Sequence, residues 1–212
     1  MNISRRGFHA ILAGAAALPL IGAGAARGSE APAGGEPAKG DDGLYTQDWF
    51  ADTFLNLGDD AMEAAGEKKH LAVLWEQNGC PYCREMHKVN LAIPQIRDYI
   101  KANFTVLQLD LWGPRKATDF DGKEMGEREL ARRWNVNFTP TICFFPQLAK
   151  IPEGKSGKDL EVMRMPGYFK PFHFLSMFEY VQSGKYETMP FQRFVQARGD
   201  MLREEGKPVK LW

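Results

Sequence analysis

Cys80 and Cys83 are separated only by Pro81 and Tyr82, and the remaining cysteine, Cys143, lies far down the chain. Two thiols at that spacing can close a small disulfide ring, yet they are too near in sequence for the bond to brace a fold. The chemistry they suit is thiol–disulfide exchange. Only a thiolate attacks a disulfide, and a free cysteine with a pKa of about 8.5 is just a few per cent ionised at neutral pH. Gln77-Asn78-Gly79 reads as a turn before the pair, and Glu85, Met86, Lys88 and Val89 continue a helix after it. Unpaired amides and the dipole at a helix start stabilise an anion by about 0.3 to 2 kcal/mol, against about 1.4 kcal/mol for one pKa unit. Helix position alone therefore supplies about one unit. Cys80, beside the turn, is expected to be the exposed nucleophile, and Cys83, a turn deeper, the resolving thiol. Pro81 suits the first helical position and stiffens the spacer, and Tyr82 is expected to be a surface contact.

Such a pair needs a rigid platform. Leu71 to Trp75 is a continuous apolar run of strand length, as for an inner strand covered on both faces, and Asn56 to Lys68 reads as a helix before it. Pro94 starts a second helical piece carrying Ile96, Tyr99 and Ile100, and Phe104 to Leu111 supplies the next strand, completing a β-α-β unit. Trp112 to Met125 reads as a long loop with a hairpin turn at Asp121-Gly122. A short helix over Glu127 to Trp134 follows. Strands are expected at Thr141 to Phe145 and at Leu160 to Met165, the second reached through a turn at Pro152 to Gly157. Pro171 to Gln182 is a core helix, and Thr188-Met189-Pro190 starts an amphipathic extension with Phe191, Phe194, Val195 and Leu202 at helical spacing. The class is α/β: a central mixed β-sheet flanked by helices, with an extra C-terminal helix.

Composition narrows the function. The 212 residues are 44% hydrophobic, enough for one domain with a real core and too apolar for a disordered chain. Lys+Arg at 27 balance Asp+Glu at 27, so no basic field exists to hold a nucleic acid. Arg5-Arg6 followed by Phe8, and then a stretch from Ala10 to Ala26 of only Ala, Gly, Ile, Leu and one Pro, resembles a twin-arginine export signal. The stretch is short and broken by Pro19, poor for a membrane span, although an uncleaved anchor stays open. Cleavage near Ala23 to Ala26 removes two arginines and no acid, leaving a mildly acidic mature chain destined for the periplasm. The expected organisation is a signal over 1–26, a flexible leader over 27–43, the main domain over 44–185 and a helical extension over 186–212.

The chain resembles thioredoxin-fold oxidoreductases, by Cys80-Pro81-Tyr82-Cys83 after a buried strand and by Thr139-Pro140 directly before the strand from Thr141. The resemblance implies that Pro140 is a cis-proline beside the sulfurs and that the backbone at Thr139 pairs with an incoming peptide. Within that superfamily the chain looks most like the exported SoxW-type thioredoxins of bacterial sulfur-oxidation systems. The likeness lies in Glu76-Gln77-Asn78-Gly79 with the CPYC and Met86-His87, in Asp121-Gly122-Lys123-Glu124, and in Pro166-Gly167-Tyr168. It implies a thiol reductant that takes electrons from a membrane thiol transporter and passes them to exported proteins with disulfides or reactive thiols. Where ordinary thioredoxins carry a buried Asp, six residues before the nucleophile, this chain has Leu74. Glu76 has the same strand parity and is either the replacement proton acceptor or a solvated carboxylate at the strand exit.

No metal and no cofactor is expected. Cys80, Cys83 and His87 have ligand-like spacing, but a second cysteine pair is absent, and Cys143 reads as a small buried hydrophobe. His87 reads as a partly exposed helix residue. Three functions fit: a disulfide reductase, a disulfide-forming oxidant or isomerase of the same fold, and a noncatalytic module in which the bond only stiffens a loop.

Overall fold

His70–Glu76 forms strand β1, buried along its whole length because it lies inside a sheet with helices on both faces. The computed structural model describes residues 35–207, so the expected export signal at 1–26 lies outside the described residues. Helix α1 (Leu57–Gly66) leads into β1, its first turn capped by the Asn56 side chain, which accepts the Asp59 amide. After β1 come α2 (Pro81–Glu85), running on as a π-helical turn over Met86–Asn90, then α3 (Pro94–Asn103) and β2 (Phe104–Asp110). Strand β2 pairs parallel with β1, closing the β-α-β unit.

The hairpin β3 (Lys116–Thr118) and β4 (Glu124–Gly126) turns at Gly122, whose φ of 80° suits glycine. Helix α4 (Glu127–Arg133) then leads to β5 (Thr141–Phe144), antiparallel to β1. The strand expected from Leu160 starts later. Ser156 donates its amide and hydroxyl to the Asp159 carboxylate at 3.0 and 2.7 Å, capping a single helical turn, α5 (Gly157–Leu160), so β6 covers only Met163–Pro166. The four-stranded sheet has the order β2-β1-β5-β6.

Strand alternation divides the core in two. Leu71, Val73 and Trp75 face one side with Leu107, Leu109, Cys143 and Phe145, against Leu57 of α1 and Leu130 of α4. Ala72 and Leu74 face the other, with Ile142 and Phe144, against Met86, Ile100 of α3, and Phe174 and Phe178 of α6 (Pro171–Gln182). Beyond a 3₁₀ turn at Lys185–Glu187, α7 (Phe191–Glu204) docks on α6. Phe191 and Phe194 each lie 5.3 Å from the Tyr180 ring, the Tyr180 hydroxyl donates to the Met189 carbonyl at 2.6 Å, and Arg198 pairs with Glu179.

Two stability predictions come from this core. A Cβ on Gly157 would stand 2.0 Å from Cζ2 of Trp134, a fully buried ring 5.4 Å from the Phe145 ring. Gly157→Ala is expected to destabilise the fold by about 1 to 3 kcal/mol with an unchanged m value in urea. Burial of Asp60 against Thr53, with Glu63 and Asp59 nearby, pushes its carboxyl from 3.8 up to about 6. Between those values the native state holds a proton that the unfolded chain has released, so stability falls as pH rises through that window. Asp60→Asn is expected to flatten the fall and to raise stability at pH 7, but not at pH 3, by about 1 to 3 kcal/mol in urea titrations.

Candidate active site

Strand β1 ends at Glu76, and the turn after it, with Gly79 at a φ of 74°, delivers Cys80 to the N-cap of α2. Pro81 takes the first helical position, where its missing N–H leaves nothing unpaired. Cys80 and Cys83 are joined by a disulfide with their Cα atoms 5.3 Å apart. The amide of Cys83 donates to the Cys80 sulfur at 3.1 Å. On the other side Thr139 Oγ1 donates to the same sulfur at 3.3 Å, and the Thr139–Pro140 peptide bond is cis. Sheet register explains the meeting: Trp75 of β1 faces Thr141 of β5, so the chain entering β5 runs beside the chain leaving β1. A charged sulfur would draw both donors more strongly than a neutral one. Of the two sulfurs, that of Cys80 is the one that accepts these hydrogen bonds.

Cys80, the expected nucleophile, is not open to solvent, contrary to expectation. Cys80 is 3% exposed and Cys83 not at all, and the two form a small buried cluster with Tyr45. Tyr45 is the second residue after the stretch read as a flexible leader; the described part of that stretch, residues 35–43, folds back toward the site through the Glu36–Arg84 ion pair and the pairing of Lys39 with Tyr45. Tyr82 does lie on the surface, 62% exposed, with its ring stacked 6.5 Å from that of Tyr168.

Behind the disulfide lies a buried polar chain. Glu76 is fully buried, on the same sheet face as Leu74, and its carboxylate accepts from His87 Nε2 at 3.0 Å and from Gln108 Nε2 at 2.6 Å. His87 is buried too, where partial exposure was expected; the π-helical turn carries it inward, four residues past Cys83, and its Nδ1 lies 3.0 Å from Gln47 Nε2. With Gln47 donating, Nδ1 is the acceptor and Nε2 holds the proton shared with Glu76. The hydrogen bonds of Glu76 go to these partners, not to either sulfur. Both ring nitrogens of His87 are engaged and the two sulfurs are bonded to each other, so the three ligand-spaced residues are not arranged around a metal; among the described residues no group of three acids, cysteines or histidines could hold one.

Sequence reasoning missed Tyr45, Gln47 and Gln108. The only signal for the first was an apolar Leu44-Tyr45 pair closing a polar stretch. Cys143 belongs to the opposite core, where burial raises its thiol well above the usual range and keeps it out of exchange chemistry.

Among curated proteins none matches the chain in sequence. In structure the chain is similar to a thioredoxin-fold protein from Helicobacter pylori, with a TM-score of 0.51 and 19% identity over 68% of this chain and 99% of that one. It is also similar to a thioredoxin from Thermus thermophilus, with a TM-score of 0.45 and 27% identity over 58% of this chain and 82% of that one. A third similar structure is the oxidised C-terminal domain of Neisseria meningitidis DsbD, with a TM-score of 0.42 and 16% identity over 62% of this chain and 97% of that one. Residues 57–182 match the family described as a thioredoxin-like domain. The match spans every element from α1 to α6, including the disulfide at the helix start and the cis-proline, the site at which an oxidoreductase of this fold works, and the chain belongs to the thioredoxin-like domain family.

Proposed function

We propose that the chain is an exported thiol–disulfide oxidoreductase that reduces disulfides of periplasmic proteins, in the manner of the SoxW-type thioredoxins that its motifs resemble, and so supports sulfur oxidation. The observation that carries the reading is the Cys80 sulfur, held at a helix start between the Cys83 amide and the Thr139 hydroxyl. In the reduced protein the Cys80 thiolate attacks a target disulfide, forming a mixed disulfide and releasing one target thiolate. Cys83 then gives up its proton and attacks Cys80, expelling the second target thiolate. The target has gained two electrons, and the protein is left with the Cys80–Cys83 bond. A membrane thiol transporter returns the electrons. The twin-arginine pattern at Arg5-Arg6 supports the location.

Glu76, paired with His87 one helical turn beyond Cys83, is the store for the proton that Cys83 loses. It takes the part of the Asp for which this chain has Leu74.

Three outcomes follow. The potential of the pair is expected in the reducing half of the range from about −270 to −120 mV that dithiol proteins of this fold span; a value at the oxidising end makes the protein a disulfide-forming oxidant instead. Cys83→Ser is expected to accumulate mixed disulfides on Cys80 with exported proteins, identified after alkylation; capture of none rejects the reading. Glu76→Gln is expected to slow turnover by about tenfold or more.

A further inference from the structure

Residues 36–47 lie as a strap across the disulfide. They form a tight hairpin: the Thr46 amide donates to the Ala38 carbonyl and the Gly40 amide to the Leu44 carbonyl, each at 2.9 Å, with Lys39 and Tyr45 paired across it. The hairpin turn presses on the loop that carries Cys80. Gly43 has a φ of 80°, and a Cβ there would stand 2.8 Å from Asn78 Nδ2. Three ties hold the strap down: Glu36 to Arg84, the Tyr45 carbonyl to Gln108 Nε2 at 2.5 Å, and Gln47 to His87 at 3.0 Å. The first is exposed and open to screening by salt, whereas the other two end on groups that bind the buried Glu76. Between them Tyr45, 8% exposed, shares one small buried cluster with Cys80 and Cys83, and Lys39 Nζ lies 4.8 Å from the centroid of its ring.

Exchange requires an incoming sulfur to approach Cys80 from outside, along the bond being broken, and a residue only 3% exposed leaves little room for such an approach. We propose that Tyr45 is a specificity-determining residue of the exchange reaction: it closes the Cys80–Cys83 pair to small thiols and yields to a protein partner whose extended segment displaces the strap. Tyr45 shares an apolar cluster with the two cysteines, so the partner that replaces it carries an apolar side chain beside its reacting cysteine. The strap swings out from its exposed Glu36–Arg84 end. This inference rests on the exchange chemistry proposed above.

The test uses the full chain and dithiothreitol. One of its thiolates attacks Cys80, forming a mixed disulfide and expelling Cys83 as a thiolate that takes a proton; its second thiol then displaces Cys80, leaving oxidised dithiothreitol and the dithiol protein. Tyr45→Ala is expected to raise the rate of this reduction by about tenfold or more, and the rate of the reverse oxidation with it, because a removed obstacle speeds both directions. Tyr45→Phe keeps the slow rate, since the ring is the barrier. Glu36→Gln, which keeps the ring, gives an intermediate rise, and added salt raises the wild-type rate toward that of Glu36→Gln. Rates within twofold of wild type for both Tyr45→Ala and Glu36→Gln overturn the proposal, as does a change in one direction only. Dithiothreitol needs no physiological partner, so the two readings fail separately. Altered rates with no trapped target leave the strap standing, and trapped targets with unaltered rates remove it.

Discussion

A reactive sulfur must carry negative charge in a place that is otherwise dry, and the structure around Cys80 is built on that demand. Little water can reach a charged sulfur here, because Cys80 is almost wholly covered. Its stabilisation comes instead from the Cys83 amide, the Thr139 hydroxyl and the open end of α2. Each donor is fixed by something larger. The amide belongs to a helix that Pro81 starts, and the hydroxyl belongs to a chain held in register with β1 by β5. The sheet therefore matters to the chemistry by setting two short segments side by side at the carboxyl end of β1.

The same dryness governs the proton. A lone buried carboxylate is costly, and Glu76 is tolerated because both of its oxygens are bonded, one to His87 and one to Gln108. An acid two residues nearer the strand exit than Leu74 keeps the same sheet face, as period two requires, and the longer glutamate side chain reaches His87 across to the π-helical turn. That turn widens the helix where His87 and Asn90 go inward, so the acid on the strand and the base on the helix are two halves of one adjustment.

What could be read from the residues was local. The cysteine spacing, Pro81, the apolar run at β1 and Pro140 before β5 each declare themselves within a few positions, and the parity of Glu76 follows from strand geometry alone. The errors concern burial across long sequence separations. His87 sits among charged neighbours and reads as a surface residue until Gln47, 40 positions away, and Glu76, 11 positions away, close over it. The apolar content of Leu160 to Met165 reads as a strand, and the Ser156–Asp159 capping pair overrides it by making one helical turn first. Tyr45 escapes notice for the same reason as His87: a polar, Gly-rich stretch ahead of it has little to bury by itself, and its order comes from the surface it covers.

That surface joins the two problems of charge and proton. The strap's inner ties, Gln47 on His87 and Gln108 on the Tyr45 carbonyl, end on the two groups that also satisfy Glu76. Gln47 brings an amide, which selects the His87 tautomer with its proton on Nε2, facing the carboxylate. Lifting the strap would remove the Gln47 amide from Nδ1. The cover over the sulfurs and the orientation of the buried histidine are thus held by the same hydrogen bonds.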